Sequence, residues 1–488
     1  MSKAWQIGII ILVTTVAYLN IFGNGFVIDD QYFIKEWELT RSWGSVGQLL
    51  AGANPESQPG VYRPIRSLLY LVYYQLWGTN PFFYHLHSLL VHLAATVLVF
   101  LIVDQLSFPR KRESREEKTG SPIRSGMTAF IAALLFGLHP IHTESITYIA
   151  ASMEMTGVVF MLGAFWLFVR SPRRRNGLAM TLSVFLALLA FFTYEMTITL
   201  PILLVLYELI LRVPSVIPAQ AGIQRRKDWI PVFTGMTQRV LPYFVGAAGF
   251  FAVRFALGVG LGRGEYLAYS FFHTQLAMTK MWVKYLSLLV WPVTLSHNHT
   301  VVLGFEAFMT PYSDQAAILS QTILDPEILL AIGVIGGIGV MGWKMRKKYP
   351  LVSFCVGWFF ISMLPVAYFF PQGTAIAEKY LYIASFGFVL SVAFLLTSLK
   401  SPRILRVLIC IIVLFYGART AIRNADWSSP RTLWEYEARI HPKSELAYYN
   451  LGIIYGQSGE KEKAVAAYTK ALDLKPQFWQ AKHNLQKL

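Results

Sequence analysis

The sequence predicts an all-α protein that crosses a membrane many times and ends in a short helical repeat. Hydrophobic residues make up 55% of its 488 residues and charged residues only 14%, whereas a soluble protein carries about a quarter charged residues. Long apolar runs fill the chain up to about residue 425, and a polar segment with repeat spacing follows. We therefore divide the chain into a membrane domain, 1–425, and a C-terminal segment, 426–488.

Apolar runs of the length needed to cross a hydrocarbon core predict about eleven transmembrane helices. They lie near 5–23, 82–106, 127–140, 152–170, 177–193, 197–212, 240–258, 328–343, 350–370, 380–399 and 403–419. The run 276–292 contains Lys280 and Lys284, and a full span there would break the alternation of loop charge. We expect it to form an interfacial or re-entrant helix.

Positive charge is confined to every second loop. The net charge is +16, and basic residues concentrate in the loops 110–124, 170–175, 212–239, 344–348 and 400–406. This alternation follows the positive-inside rule and is not a nucleic-acid-binding surface. It places the basic loops and the N-terminus in the cytoplasm, and the acidic and histidine-rich loops and the C-terminus on the opposite face.

Two of the basic loops differ from their surroundings. Residues 107–128 and 214–237 both end in Gly-Met-Thr, and both resemble translated copies of a dispersed repeat element of bacterial genomes. We interpret them as in-frame cytoplasmic insertions without catalytic residues, which indicates a bacterial source and its inner membrane. The alternative is a basic patch that binds anionic lipid.

The C-terminal segment carries the spacing of a 34-residue tetratricopeptide repeat. The signature positions are Tyr448, Leu451, Gly452, Tyr455, Ala464, Tyr468, Ala471 and Pro476. Residues 433–442 and 478–488 resemble half-repeats. Since about three repeats are usually needed to bury a solenoid core, one and a half should lean on the membrane domain or on a partner, which includes a second copy of the chain.

Acidic residues and histidines recur in the outward loops. Asp29 and Asp30 follow the first apolar run, where a carboxylate can deprotonate a hydroxyl at the membrane surface; the alternative is a solvated acid pair. His139, His142 and Glu144 form a compact cluster with metal-ligand spacing, although Pro140 disfavours helical geometry there.

Several motifs occur in an order that resembles a known family. They are Phe26-Val-Ile-Asp-Asp30, Tyr62-Arg63-Pro64, Asn80-Pro-Phe-Phe-Tyr-His85 with His92, Leu138-His-Pro-Ile-His-Thr-Glu144, Ala377-Glu-Lys-Tyr-Leu-Tyr382 with Ser385-Phe-Gly387, and Arg423-Asn424-x-Asp426-Trp427. The ordered set is similar to the transmembrane and tetratricopeptide-repeat protein O-mannosyltransferases, which belong to the GT-C class of glycosyltransferases. The resemblance implies a GT-C-like bundle.

The resemblance also implies an activity. An acid of the first outward loop would act as the base, here Asp29 or Asp30, with Asp29 favoured and Asp30 orienting. The sugar, mannose in the family, would move with inversion from a polyprenyl phosphate to a hydroxyl acceptor on the extracytoplasmic face, with protein Ser/Thr favoured. Alternatives are a cell-envelope glycan or lipid acceptor, and a non-catalytic scaffold that recruits partners through the repeat.

A departing lipid phosphate needs cationic donors, and Arg63 and Lys379 are the expected ones. The alternatives are a snorkelling Arg63 and a Lys379 that pairs with Glu378. We expect His139, His142 and Glu144 to bind the donor or to brace the acid loop. An acid such as Glu195 at the end of an apolar run marks either a substrate site or a structural ion pair. We predict no metal site and no bound cofactor, although the fold class leaves a divalent cation open.

Overall fold

The structure, a computed structural model, describes residues 2–54, 60–107, 125–171, 177–212, 226–262, 264–297, 299, 320–371 and 376–488. Every regular element in these ranges is helical, so the all-α prediction is confirmed. Most of the predicted insertion 107–128 lies outside the described residues. The second predicted insertion, 214–237, is described only from residue 226, where a long helix begins.

The membrane domain contains fifteen α-helices within the described ranges. They are α1 (Lys3–Tyr18), α2 (Val46–Leu50), α3 (Pro64–Trp77), α4 (Pro81–Ser107), α5 (Ser125–Leu138), α6 (Thr143–Thr147), α7 (Ile149–Arg170), α8 (Gly177–Thr193), α9 (Leu200–Tyr207), α10 (Arg226–Ala256), α11 (Phe271–Val290), α12 (Pro326–Met345), α13 (Pro350–Met363), α14 (Leu381–Thr397) and α15 (Pro402–Asp426). Several begin with proline, whose fixed φ suits the first helical position and whose missing N–H would be unpaired there in any case.

Seven helices of the described residues are long and apolar enough to cross a membrane, and an eighth results if the bent pair Gly126–Leu138 and Pro140–Thr147 counts as one span. The sequence predicted about eleven. The difference lies in three predicted spans that form shorter elements. Gly177–Thr193 and Pro350–Val366 are short apolar helices, and 197–212 consists of α9 between a 3₁₀ turn and a π turn.

The helices pack closely where small residues allow it. α13 lies against α14 at Gly387, where a Cβ atom would come 2.5 Å from the carbonyl oxygen of Cys355. One turn along, the buried Trp358 donates its indole N–H to the carbonyl of Ile383 at 2.9 Å. Without a hydrophobic drive between helices in lipid, such close approach and interhelical hydrogen bonding hold a bundle together.

The C-terminal segment forms α16 (Pro430–Ile440), α17 (Glu445–Gln457), α18 (Lys461–Leu474) and α19 (Trp479–Gln486). α17 and α18 pack against each other at Gly452, where a Cβ atom would come 2.5 Å from the Tyr468 ring. Leu433 of α16 enters the same buried cluster as Phe26 and Tyr148 of the membrane domain. The segment therefore leans on the membrane domain, as its short length predicted.

Candidate active site

The loop that follows α1 and carries Asp29 and Asp30, which we call the acid loop, holds its two acids differently. Asp30 is fully buried, and its carboxylate accepts hydrogen bonds from the backbone N–H of Val27 at 3.1 Å and of Ala150 at 2.8 Å. Burial raises the pKa of Asp30 to about 8, the two backbone donors oppose this rise, and the charge of Asp29 adds to it. Asp30 thereby fastens the loop to the first turn of α7.

Asp29 is only half-buried. Its carboxylate hydrogen-bonds with the hydroxyl of Tyr148, the residue that precedes α7. Ile28, directly before the acid pair, has a φ of +47°, a left-handed conformation that costs a β-branched residue roughly 1–3 kcal/mol. Strain of this kind persists where the surrounding structure enforces it, often at functional sites. Of the two acids, Asp29 is the more exposed.

Arg63 lies immediately before α3 and is buried between two carboxylates. Its guanidinium pairs with Glu154 and binds Glu195 through two nitrogens, one of them at 2.6 Å. Burial by itself lowers the pKa of Arg63, and the two carboxylates outweigh this effect and raise it. Arg66 adds a second contact to Glu154 at 3.2 Å. Arg63 is thus held by ion pairs in the interior, and its guanidinium does not snorkel to solvent.

Lys379 converges on the same cluster from the other half of the chain. Its Nζ lies 3.4 Å from Glu154, and its backbone N–H donates to Glu144 at 3.0 Å. Glu378, the alternative partner of Lys379, instead accepts hydrogen bonds from Ser296 and His299. The two predicted cations therefore share one carboxylate, Glu154.

Glu154 lies outside the motifs that the sequence shows. It lies near the start of α7, a helix long and apolar enough to cross the membrane. The rule that an acid within an apolar span marks a functional site drew attention to Glu195 and would have identified Glu154 as well. The charges that meet here belong to Arg63, Arg66, Lys379, Glu154 and Glu195, and we call these five residues the ion-pair cluster.

Tyr70 of α3 connects the acid loop to the ion-pair cluster. Its ring stacks on Phe33 at a centroid distance of 4.9 Å. Burial raises the pKa of Tyr70 most; Arg66 opposes the rise, and the charges of Asp30, Glu154 and Asp29 add to it. One buried phenol therefore feels both groups, and Arg66 of the cluster lies 4.6 Å from the ring centre of Phe33, so the cluster and the acid loop are neighbours.

His139 and His142 have a different environment. The Nε2 of His139 bonds the carbonyl of Leu289 at 3.0 Å, and its Nδ1 accepts from the N–H of Ile141 at 3.2 Å. His142 bonds the carbonyl of Phe136 at 2.8 Å and the Ser385 hydroxyl at 2.9 Å. With both nitrogens of each ring engaged, these histidines brace the 48° bend after α5. The geometry favours this bracing role over contact with a phosphate.

Glu144 lies next to Lys379, one of the two predicted cations. It is 1% exposed, and besides Lys379 it contacts the Nδ1 of His297 at 3.2 Å. No group of three or more His, Cys, Asp or Glu side chains that could hold a metal ion occurs among the residues that the structure describes.

Asn424, from the last of the predicted motifs, ties the acid loop in place. Its side chain accepts from the Thr147 hydroxyl at 2.7 Å and donates to the carbonyl of Ala17 at 3.1 Å. Its backbone carbonyl accepts from the Asn24 amide at 2.9 Å. The end of α15 thus holds the N-terminal side of the loop that carries Asp29 and, through Thr147, the end of α6.

Known proteins with similar sequences carry one recurring description. The protein O-mannosyl-transferase TMTC3 of Mus musculus is 25% identical over 495 residues, which cover 96% of this chain and 51% of that protein. The protein O-mannosyl-transferase F38B6.6 of Caenorhabditis elegans is 25% identical over 483 residues, 97% of this chain and 63% of that protein. The chain is a homologue of the protein O-mannosyl-transferases. The resemblance predicted from its motifs is confirmed.

A family of repeats and a solved structure also align with this chain. The tetratricopeptide repeat family matches residues 446–478, which confirms the predicted repeat. The crystal structure of ArnT from Cupriavidus metallidurans bound to undecaprenyl phosphate aligns over all of this chain and 78% of that one, with 15% identity and a TM-score of 0.41. The chain spans about half the length of the first curated relatives it matches.

Proposed function

We propose that the protein is a membrane glycosyltransferase that moves a sugar, mannose in the favoured case, from a polyprenyl phosphate to a hydroxyl acceptor. The observation that carries this proposal is that a half-buried carboxylate, Asp29, lies next to the ion-pair cluster. Arg66 of the cluster lies 4.6 Å from the ring centre of Phe33, whose backbone N–H donates to the carbonyl of Asp29 at 3.0 Å. A base beside cationic groups suits a reaction in which a hydroxyl loses a proton while a phosphate departs. The names of the homologues support the sugar and the protein acceptor.

In this proposal Asp29 takes the proton of the acceptor hydroxyl as its oxygen attacks the anomeric carbon. The new bond joins that oxygen to the sugar, the bond from the sugar to the phosphate oxygen breaks, and the polyprenyl phosphate leaves with the electron pair. The configuration at the anomeric carbon inverts. Asp30, fixed by Val27 and Ala150, positions Asp29 and does not touch the substrate.

Arg63 and Lys379 would stabilise the leaving phosphate. In the structure Arg63 is occupied by Glu154 and Glu195, and the Glu195 side chain is 23% exposed against 3% for Glu154. Glu195 is therefore the carboxylate that an incoming phosphate can replace, whereas Glu154 keeps both cations in place. We assign Arg63 and Lys379 to phosphate binding and Glu195 to balancing the charge of Arg63.

We place this reaction on the extracytoplasmic face, at a bacterial inner membrane. The acid loop and the start of α7 lie at one end of the bundle, and α7 ends at Arg170 on the side of the basic loops. Lys3 at the start of α1 binds Asp104 near the end of α4 at 2.7 Å. The positive-inside rule assigns the side with Lys3 and Arg170 to the cytoplasm, which leaves Asp29 outside.

The test is transfer from radiolabelled polyprenyl-phosphate mannose to endogenous membrane protein. We expect Asp29→Asn to lose roughly a hundredfold or more of the rate, and Asp30→Asn to lose less. Glu38→Gln, an exposed acid of the same outer region, is the matched control. A folded Asp29→Asn variant with wild-type transfer would contradict the assignment of the base.

The same experiment separates the acceptor classes. Label that protease digestion converts to small peptides identifies a protein acceptor. Label that organic solvent extracts, and that separates from the donor by chromatography, identifies a lipid acceptor. If the wild type transfers no label and still captures envelope proteins, and if Asp29→Asn captures them equally well, the scaffold alternative holds.

A further inference from the structure

A short outer segment, Leu295–His297 with His299, lies between the C-terminal helices and the membrane domain; we call it the bridging segment. On its outer side it contacts α16. The Ser296 hydroxyl donates to Glu437 at 2.6 Å, and the His297 N–H donates to the other oxygen of Glu437 at 2.9 Å. Next to Glu437 on the same helix, Tyr436 donates to the carbonyl of Leu295 at 2.9 Å.

On its inner side the bridging segment contacts the site. The Nδ1 of His297 lies 3.2 Å from one oxygen of Glu144, and the other oxygen of Glu144 accepts from the backbone N–H of Lys379 at 3.0 Å. The N–H of Ser296 donates to Glu378 at 2.6 Å, the residue before Lys379. An unbroken polar path therefore runs from Glu437 through His297 and Glu144 to Lys379.

The acids of this path are almost wholly withdrawn from water. Glu437 and Glu378 are 0% exposed and Glu144 is 1% exposed. Arg423, also buried, lies 3.6 Å from Glu437. A buried carboxylate is tolerated only with partners that compensate its charge, so removing Glu437 should disturb the groups that bond to it. Glu435, on the same helix, is 43% exposed and pairs with Arg431 at the surface.

We propose that Glu437, carried by the C-terminal segment, is a positioning residue for Lys379, acting through His297 and Glu144. This inference rests on the proposed function, in which Lys379 binds the donor phosphate. The C-terminal segment then completes the donor site of the membrane domain. Glu437 itself touches neither the substrate nor the reacting atoms.

The test uses the full-length protein in detergent, with two readouts on each variant. Hydrogen exchange of the peptide around the Lys379 amide reports the bond from Lys379 to Glu144 directly. Steady-state kinetics with polyprenyl-phosphate mannose report the donor KM and kcat separately. The variants are Glu437→Ala, its conservative counterpart Glu437→Gln, His297→Ala and the double variant Glu437→Ala/His297→Ala. Glu435→Ala is the matched control.

We expect Glu437→Ala and His297→Ala each to speed exchange at Lys379 about tenfold and to raise the donor KM about fivefold or more, with the acceptor KM unchanged. Because both variants cut one path, the double variant should be no worse than the more severe single variant. Glu437→Gln, which keeps one acceptor oxygen, should fall between Glu437→Ala and wild type. Glu435→Ala should match wild type in both readouts.

Unchanged exchange at Lys379 in folded His297→Ala and Glu437→Gln would overturn the inference, and so would additive effects in the double variant. If exchange changes but the donor KM does not, Lys379 is positioned without consequence for the donor, and the link to the donor site is wrong. If wild type transfers no sugar, the proposed function fails by itself, and the exchange measurement still decides whether Glu437 positions Lys379.

Discussion

The indole of Trp427 stacks on the ring of Tyr148 with a centroid distance of 5.6 Å and an interplanar angle of 17°. Trp427 is fully buried and comes from the end of α15, whereas Tyr148 precedes α7 and hydrogen-bonds with Asp29. Two residues far apart in the chain thus orient the half-buried acid of the acid loop. The proposed base is therefore held by a contact that cannot be recognised from the sequence around either residue.

We expect Tyr148→Phe to lower kcat about tenfold at unchanged donor KM. The substitution keeps the ring on Trp427 and removes only the hydroxyl, and a hydrogen bond to a charged group is worth roughly 1.5–3 kcal/mol. Thermal unfolding should remain close to wild type because the stacked pair persists. Tyr32→Phe, an exposed tyrosine of the same loop, serves as the control. Wild-type kcat in Tyr148→Phe would show that Asp29 does not depend on this bond.

Arg63→Lys should raise the donor KM about tenfold, although the charge is retained. A lysine cannot reproduce the fork with which Arg63 binds Glu195 while it also reaches Glu154, and such replacements at bidentate sites are not conservative. Arg41→Lys changes an exposed arginine of the same region and should have no effect. The kinetics are measured with varied donor at saturating acceptor, and an equal KM in both variants would argue against a phosphate at Arg63.

The raised pKa of Asp30 has a consequence for stability. Because its pKa of about 8 in the folded protein lies above the ordinary 3.8, the folded state binds the proton more tightly, and stability falls as the pH rises between these values. From pH 6.5 to 8 the loss from this group should be on the order of 1–2 kcal/mol. Asp30→Asn removes this ionisation, so the thermal midpoint of the variant should fall less between pH 6.5 and pH 8 than the midpoint of wild type. Equal slopes, with Glu38→Gln as control, would contradict a buried ionising Asp30.

His441 should act in the opposite direction at lower pH. Burial lowers its pKa to about 4; the charge of Glu437 opposes this effect, and His299, Lys284 and Arg423 add to it. Since the folded pKa lies below the ordinary 6.5, its contribution to stability is complete above pH 6.5 and is lost as the pH falls towards 4.

We therefore expect the C-terminal segment to dock less tightly at pH 5 than at pH 7, by on the order of 1–3 kcal/mol. Limited proteolysis at the two pH values measures this weaker docking, which should appear as faster cleavage near the start of α16 at pH 5. In His441→Asn the dependence on pH should be smaller, whereas His483→Asn, on the last helix and exposed, should behave like wild type. Equal cleavage rates of wild type at both pH values would rule out that the docking of the C-terminal segment depends on pH.

The helices and the repeat could be predicted because their signals are local. An apolar run indicates a helix in lipid without reference to other segments. The spacing of the small residues Gly452, Ala464 and Ala471 by itself indicates close packing of two helices. The three predicted spans that prove shorter show the limit of this approach. Hydropathy detects apolar character, but the length of the helix depends on where neighbouring helices force it to end.

The candidate site could be predicted only in part. Asp29, Arg63 and Lys379 stand out as charges between apolar runs. The structure joins Arg63 and Lys379 through Glu154, in a cluster next to the loop that carries Asp29. His139 and His142 stand out equally, yet their nitrogens are engaged by Leu289, Phe136 and Ser385. A sequence cannot distinguish a histidine whose ring is already bonded from one that is free to bind a ligand.

The sequence by itself determined the class of the protein, its helices, its repeat and the family it resembles, because hydropathy, charge alternation and motif order are properties of neighbouring residues. Tertiary structure alone decided which acid is buried, that Glu154 joins the two cations, and that Glu437 reaches Lys379 through His297. These outcomes depend on desolvation and on hydrogen bonds between residues that lie 91 to 235 positions apart in the chain. Such contacts exist only once the chain has folded.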